Sequence, residues 1–219
     1  MAILEEIIWQ MINISFSISK NYGIAIILIT VLIKFVFYPL TFQSSKQMAA
    51  MQRLQPVMKN LQKKYKDDPK KLQEETLNLY KREKVSPFGG CLPMIIQIPI
   101  FIGLFLALKG EKFVNAVQNA GGGGSFIWLS NLSLPDPTFI MVVLIVITTY
   151  LMQRTMQSAQ QNMAMNIVMP AFIGFISLPF PSGLQLYWVA SNIVTALQQI
   201  YIFRKLGVPL TFSLMPGKS

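Results

Sequence analysis

The sequence predicts an all-α membrane protein with five transmembrane helices, an N-terminal interfacial helix and a cytoplasmic helical hairpin. Three observations predict this class. Hydrophobic residues make up 53% of the chain and charged residues 13%, whereas a soluble domain carries about 25% charged residues. Apolar runs close to the length of a membrane helix recur along the chain. A strongly basic stretch separates the first run from the second, and the formal net charge is +10.

The predicted elements form a single unit over residues 1–219. Residues 3–20 carry apolar side chains at helical spacing, largely opposite Glu5, Glu6 and Gln10. This pattern fits a helix in the interface plane, and a helix packed on the protein itself is the alternative. The predicted boundaries are, in chain order, an interfacial helix at 3–20, span 1 at 23–42, a cytoplasmic hairpin at 43–87, span 2 at 88–108, an extracytoplasmic loop at 109–136, span 3 at 137–153, a cytoplasmic link at 154–163, span 4 at 164–179, span 5 at 183–203 and a cytoplasmic tail at 204–219.

Two features leave alternatives open. Residues 121–125 read GGGGS, a composition typical of a flexible linker, and the run is either a natural loop or a joint left by engineering. Spans 3 and 4 are short for a hydrocarbon core of about 30 Å. Either their ends extend into the link between them or the bilayer thins around them.

The basic stretch predicts two helices, at about 44–65 and 69–84, folded as a hairpin. The second helix is predicted to start at Asp68-Pro69, where a capping acid directly precedes a first-turn proline. One side of the first helix gathers apolar residues, and methionine-rich faces are common on adaptable binding surfaces. We therefore predict substrate contact here, with packing against Leu72, Leu77 and Leu79 as the alternative. The predicted contact residues are Met48, Met51, Met58 and Leu61.

The distribution of positive charge predicts the orientation. Fifteen Lys and Arg residues fall in the hairpin, at Arg154 and in the C-terminal tail, against three on the other side at Lys20, Lys109 and Lys112. Cytoplasmic loops carry an excess of Lys and Arg. The N-terminus is therefore predicted outside and the hairpin and C-terminus in the cytoplasm. The first ten residues are acidic rather than basic, so no cleavable signal peptide is expected.

Polar residues at membrane depth predict a hydrated groove centred on Lys34. A charge inside a span is costly, and it persists where it faces a polar or wet interior. No acid lies inside any predicted span, so Lys34 has no buried carboxylate partner of its own. The alternative is that Lys34, near Pro39, extends to the lipid headgroups. The groove residues predicted from polarity and depth are Thr30, Lys34, Gln97, Ser191, Asn192 and Thr195, and Gln198 and Gln199 lie at similar depth.

Composition argues against several classes of chemistry. The chain has no histidine and one cysteine, Cys91, which removes the commonest general base and metal ligand and any intrachain disulfide. We expect no catalytic residue, no metal and no cofactor. Ser191 and Lys34 are the residue types of a Ser–Lys protease dyad, but no nucleophile elbow or oxyanion loop surrounds Ser191. A coupled transporter usually uses intramembrane acids or histidines, which the predicted spans lack.

The ordered motifs of nearly the whole chain resemble the YidC/Oxa/Alb family of membrane-protein insertases. They include NYGIAIILITVLIKFVFYPLT, the charged hairpin, SPFGGCLPMIIQIPIFIGLF, FIWLSNLSLPDP and PSGLQLYWVASNIVTALQQ. The resemblance implies a five-span core in the bacterial plasma (inner) membrane. It also implies a groove that opens to the cytoplasm and to lipid and is closed toward the outside.

The resemblance assigns roles to individual residues. Lys34 stands where the family has a groove arginine, so the charge is kept and the bidentate fork is lost. Thr30, Gln97 and Trp188 match groove positions of the family. The hairpin resembles the element that first receives substrate. Relatives often carry extra N-terminal or extracytoplasmic sequence, so the chain is either a compact form or a trimmed core.

These inferences predict an insertase without hydrolytic chemistry. Its expected partners are nascent membrane proteins, single or double spanners with acidic flanks, together with the lipid bilayer, the ribosome and the Sec translocon. The basic hairpin and tail are expected to meet anionic lipid, and we predict no specific nucleic-acid site. The alternative is a translocon-associated folding chaperone, a holdase in which the groove cation is dispensable.

Overall fold

The computed structural model describes residues 2–86, 92–155 and 163–208, and helices carry the fold in these ranges. An isolated β-bridge joins Phe126 and Leu129. The all-α class is therefore confirmed for the described residues. The helices are α1 (Ala2–Ser19), α2 (Tyr22–Val36), α3 (Tyr38–Arg53), α4 (Gln55–Lys64), α5 (Pro69–Arg82), α6 (Leu92–Lys109), α7 (Glu111–Asn119), α8 (Ile140–Thr155), α9 (Met163–Ser177) and α10 (Ser182–Lys205), with a 3-10 turn at Gly121–Gly124.

Helix α10 is the centre of the bundle. It packs against α2, α3, α6 and α8, while α9 packs against α8. Interdigitated aliphatic side chains fill the core, where burial stabilises by about 25 cal/mol per Å² of apolar surface. The fully buried members include Ile26 and Ile29 of α2, Leu104 and Leu108 of α6, Ile145 of α8 and Leu184 of α10.

The bundle turns large apolar side chains outward and polar side chains inward. Phe35 of α2 is 67% exposed, Phe175 of α9 is 70% exposed and Leu197 of α10 is 61% exposed. A buried series of polar residues lies along α10, comprising Ser182, Gln185, Ser191, Asn192, Thr195 and Gln199. An exposed apolar surface of this extent marks contact with an apolar phase or a partner.

Proline residues divide the predicted first span and the first helix of the predicted hairpin. The predicted span at 23–42 is interrupted at Phe37, where α2 ends and α3 begins with Pro39 in its first turn. The predicted helix at 44–65 is broken at Leu54, and Pro56 lies in the first turn of α4. Proline has no N–H to donate and fits the first turn of a helix. Each proline therefore starts a new helix where hydropathy and helix propensity alone predict continuity.

The predicted loop at 109–136 contains a helix and a packed glycine turn. Helix α7 follows α6 directly, and Lys112 of α7 forms an ion pair with Glu6 of α1 at 2.7 Å. The four glycines form the 3-10 turn, and a Cβ added to Gly124 would lie 2.2 Å from the carbonyl oxygen of Val117. The run is therefore packed at Gly124, because a close backbone approach requires glycine there. The origin of residues 121–125, as a natural loop or an engineered joint, stays a prediction.

The same loop closes one end of the bundle through main-chain hydrogen bonds. The N–H groups of Ser182 and Gly183, at the start of α10, donate to the carbonyls of Leu134 and Leu132 at 2.7 and 2.9 Å. These N–H groups have no partner within their own helix. The loop therefore satisfies the first turn of α10 and is fixed to it.

A buried carboxylate, Asp136, caps the start of α8. It accepts hydrogen bonds from the Met141 N–H at 2.8 Å and from the Thr138 N–H and hydroxyl at 3.0 and 2.7 Å. Burial acts to raise the pKa of Asp136, but the bonds from Met141, Thr138 and Trp128 outweigh it and hold the pKa below its ordinary value. The ionised form is thus the one that stabilises the fold.

Asp136→Asn should lower the free energy of unfolding at pH 7 by about 2 kcal/mol, because it weakens charge-assisted hydrogen bonds. The lowered pKa means that this stabilisation is present above about pH 5 and is lost as the pH falls below the carboxyl's ordinary pKa near 4. Thermal unfolding in mild detergent between pH 7 and pH 3 measures the difference between the two proteins. A gap that stays constant down to pH 3 would contradict the assignment.

By length and hydropathy, no single helix in the described ranges qualifies as a membrane span. Ile3–Ser19 and Tyr22–Val36 qualify together, as a pair bent by 119°.

Candidate functional site

Lys34 lies where three helices meet, in contact with a glutamine and next to a tyrosine. Its ammonium donates to Oε1 of Gln97 on α6 at 2.9 Å. The Nε2 of Gln97 in turn donates to the hydroxyl of Tyr187 on α10. The Tyr187 hydroxyl also pairs with Ser191, one turn further along α10. The charge on α2 is therefore tied to α6 and, through Gln97, to α10.

A cleft opens beside Lys34, at the break between α2 and α3. The cleft is small and partly open, and about 30 Å³ of it can hold water-sized groups. Within the part of the chain that the structure describes, Lys34 takes part in no ion pair. The arrangement therefore offers a cation to an anionic guest in surroundings of lowered dielectric, where attraction is stronger than in water. The lining residues are Ile33, Lys34, Phe37, Leu40, Thr41, Gln97 and Ile100.

The main chain of Lys34 is also fixed to α10. Gln198 donates from Nε2 to the carbonyl oxygen of Lys34 at 3.0 Å, in the last turn of α2, where carbonyls lack partners within the helix. Gln185 makes a similar bond on the same helix, from Nε2 to the carbonyl of Ser177 at 2.8 Å. The Oε1 atoms of both glutamines are buried without a hydrogen-bond partner among the described residues.

We expect Gln198→Met and Gln185→Met each to lower the free energy of unfolding by about 1 kcal/mol through one lost hydrogen bond. The two variants should differ in where the backbone loosens. Hydrogen–deuterium exchange of the amides of Phe37, Tyr38, Leu40 and Thr41 should rise in Gln198→Met and stay unchanged in Gln185→Met. Equal exchange in both variants would mean that Gln198 does not stabilise the backbone at the break between α2 and α3.

The remaining predicted groove residues divide between the site and the helix packing. Ser191 pairs with Tyr187 beside Gln97, and Trp188 packs edge-on against Phe101, with ring centroids 5.0 Å apart. Thr195 donates to the carbonyl of Ser191 at 2.7 Å. These residues therefore lie on or next to the side of α10 that carries Tyr187.

Two predicted groove residues are used elsewhere. Thr30 is fully buried, and its hydroxyl donates to the carbonyl of Ile26 at 2.6 Å. Asn192 donates to the hydroxyls of Thr148 and Thr149 on α8, at 3.2 and 3.0 Å. The structure brings neither of them into the cleft beside Lys34, so any contact of theirs with substrate stays a prediction.

The methionine face of the basic stretch packs on the protein itself. Met48 is buried with Ala49, Phe203 and Val208 against the end of α10. Met58 is 3% exposed. It packs between α4 and α5, in a cluster made with Leu79, Tyr80, Met51, Leu54 and Leu61. This arrangement favours the packing alternative, and contact between this face and substrate stays a prediction.

Two side chains of functional interest were absent from the predicted site, Tyr187 and Asp136. Tyr187 lies four residues before Ser191, which is the one signal in the sequence that could have placed it on the same helical face. Asp136 precedes a proline and a threonine at the end of a loop, a capping pattern. Over the described residues, no group of three or more His, Cys, Asp or Glu side chains could hold a metal ion.

Comparison with known proteins identifies the family. The sequence model of the family described as 60Kd inner membrane protein matches residues 14–207. The chain belongs to this family. Two relatives named "Membrane protein insertase YidC" come from Francisella philomiragia, 41% identical over 206 residues and 93% of this chain, and from Geobacter sulfurreducens, 42% identical over 191 residues and 85% of this chain.

A solved structure supports the assignment of this chain to the 60Kd inner membrane protein family. The crystal structure titled "Active YidC insertase crystal structure with the first transmembrane domain resolved" matches 91% of this chain and 46% of its own, with a TM-score of 0.75 and 29% identity. The chain spans 36% and 34% of the length of the two named relatives. It therefore corresponds to about a third of those proteins.

Proposed function

We propose that this chain inserts nascent membrane proteins into the lipid bilayer. The observation that carries the proposal is the Lys34 ammonium, held by Gln97 at an open cleft and in no ion pair within the described ranges. Relatives that carry the insertase name support it, as does the fold shared with an insertase crystal structure. No catalytic chemistry is required of the site.

The proposed topology has five spans in the bacterial inner membrane, with the N-terminus outside and the C-terminus in the cytoplasm. The spans are α2 with the start of α3, then α6, α8, α9 and α10. Two observations support this topology. Fifteen Lys and Arg residues fall on the proposed cytoplasmic side. At that end Arg53 of α3 donates to the carbonyl of Leu206 at 3.0 Å, while α1, α7 and the glycine turn lie at the opposite end.

In the proposed mechanism, a substrate's acidic flank enters the cleft from the cytoplasm and is drawn to Lys34. Two unit charges 4 Å apart attract by about 1 kcal/mol in water and by about 4 kcal/mol at an effective dielectric constant of 20. The apolar segment then moves into lipid along the outward apolar side chains of the bundle. Its transfer, at about 25 cal/mol per Å² of apolar surface, drives release.

The proposed substrates are single or double spanners with acidic flanks, and the ribosome and the Sec translocon are proposed as occasional partners. The basic side chains at the cytoplasmic end support contact with anionic surfaces. Lys205, at the end of α10, lies over the ring of Phe42 at 5.9 Å and is exposed. Such contacts weaken with salt, so the lipid headgroups are the constant partner in this proposal.

Reconstitution of the purified chain in liposomes with no other protein tests the proposal. We expect a single spanner with an acidic N-terminal flank to become protease-protected in these liposomes and to stay accessible with protein-free liposomes. Protection that requires an added translocase would contradict autonomous insertion and support the holdase alternative. Binding of the substrate without protection in either case would also support the holdase.

A further inference from the structure

A chain of hydrogen bonds runs from Lys34 through Gln97 to Tyr187 and Ser191. It crosses from α2 to α6 to α10, and every member uses a side-chain atom. Tyr187 is 2% exposed, so solvent has little access to its hydroxyl. Lys34 and Gln97 are both at the cleft, whereas Tyr187 lies behind Gln97. The position of Gln97 therefore depends on a residue that the guest cannot touch.

The amide of Gln97 has two ends with opposite hydrogen-bonding character. Its oxygen accepts and its NH₂ group donates, while the Lys34 ammonium can only donate. Gln97 stabilises the ammonium when Oε1 faces it, as observed at 2.9 Å. A half-turn of the amide would bring two donors against a cation. The ammonium therefore disfavours the reversed orientation, and a contact at the NH₂ end can hold the observed one.

We propose that the Tyr187 hydroxyl is a positioning group that fixes the Gln97 amide with its oxygen toward Lys34. The hydroxyl accepts from Gln97 Nε2, with Ser191 as its second partner, and this leaves Oε1 of Gln97 on the side of Lys34. With Gln97 fixed, the ammonium uses one N–H on Gln97 and keeps the others for an anionic guest. The benefit to the guest rests on the proposed function, whereas the fixed orientation of Gln97 does not.

The ring of Tyr187 and its hydroxyl contribute separately. The ring belongs to the main apolar core, together with Ile26, Leu184 and Val189. Phenylalanine would keep that packing and remove the hydroxyl alone. Tyr187→Phe is therefore a specific test, and Tyr201→Phe is its matched control because Tyr201 lies on the same helix and is 58% exposed.

The first readout is the side-chain amide of Gln97, followed by NMR with ¹⁵N-labelled glutamine in detergent micelles. The Gln97 signal is assigned by its absence in Gln97→Leu. Exchange of its amide hydrogens with water should be about tenfold faster in Tyr187→Phe than in the original chain or in Tyr201→Phe. The amide signals of Gln185 and Gln198 should not change. Unchanged exchange at Gln97 would overturn the proposal, whatever the insertion activity.

The second readout is insertion into liposomes of two substrates that differ only in Asp or Asn at the flank. Tyr187→Phe should reduce insertion of the acidic substrate about three- to tenfold and leave the neutral one unchanged. In a Gln97→Leu background the same substitution should have no further effect, because it acts through Gln97. Equal losses for both substrates, or losses that multiply, would overturn the positioning role. Failure of the original chain to insert either substrate refutes the proposed function, and the NMR result then decides the role of Tyr187 by itself.

Discussion

Lys34→Glu is expected to reduce insertion of a substrate with an acidic flank at least tenfold. The substitution replaces an attraction by a repulsion of similar size, and each is worth about 1–4 kcal/mol at 4 Å across the range from water to an effective dielectric constant of 20. A change of 1.4 kcal/mol is a factor of ten. The insertion activity of Lys34→Ala should fall between that of the original chain and that of Lys34→Glu. The activity of Lys34→Arg should stay close to the original because arginine keeps the charge.

The measurement is protease protection in liposomes, with the same substrate carrying Asn in place of its flanking acids as the internal reference. Lys109→Glu is the matched variant, since it reverses an exposed lysine that lies over Phe105 at the other end of α6. It should leave insertion unchanged. Full activity of Lys34→Glu on the acidic substrate would show that the cation has no role.

The second large effect is expected on stability, from Gly124→Ala. The new Cβ would lie 2.2 Å from the Val117 carbonyl oxygen and 3.0 Å from both its carbonyl carbon and its Cγ1. Backbone atoms cannot rotate away as the end of a side chain can, so α7 or the turn must shift. Overpacking of this kind destabilises by about 3 kcal/mol, the upper end of its usual range.

Gly122→Ala is the control for this prediction, because nothing lies within 4 Å of a Cβ added there. It removes one glycine from the same run and should leave the melting temperature in detergent nearly unchanged. Gly124→Ala should lower it clearly. Two variants that melt alike would mean that the turn is as loose as its composition suggests.

The proximity of Lys34 and Gln97 could be predicted from the sequence. Polar groups at membrane depth on separate helices face each other or water rather than lipid, and few such groups are available here. Tyr187 could not be added in the same way. Its hydroxyl meets Gln97 because of how α6 packs against α10, and neither periodicity nor composition determines that contact.

Neighbouring positions on one helix explain another difference. Ser191 and Asn192 were both predicted in the groove, but consecutive residues are about 100° apart on a helix. Ser191 reaches Tyr187, and Asn192 reaches Thr148 and Thr149 of α8. Pro39 is a signal in the sequence for the helix break at Phe37. The apolar run continues through the break, so hydropathy predicts one uninterrupted span. Hydropathy indicates whether a segment prefers lipid or water, whereas backbone hydrogen bonding determines where its helix ends.

The contact between the loop and the start of α10 bears on how far the sequence of the loop can vary. Ser182 and Gly183 are held by carbonyl oxygens of Leu134 and Leu132, and such atoms are present whatever side chains the loop carries. In the proposed orientation this contact lies on the outer side. Substitutions in the loop can therefore change its surface without removing this contact, whereas proline in place of Ser182 removes one of these donors outright.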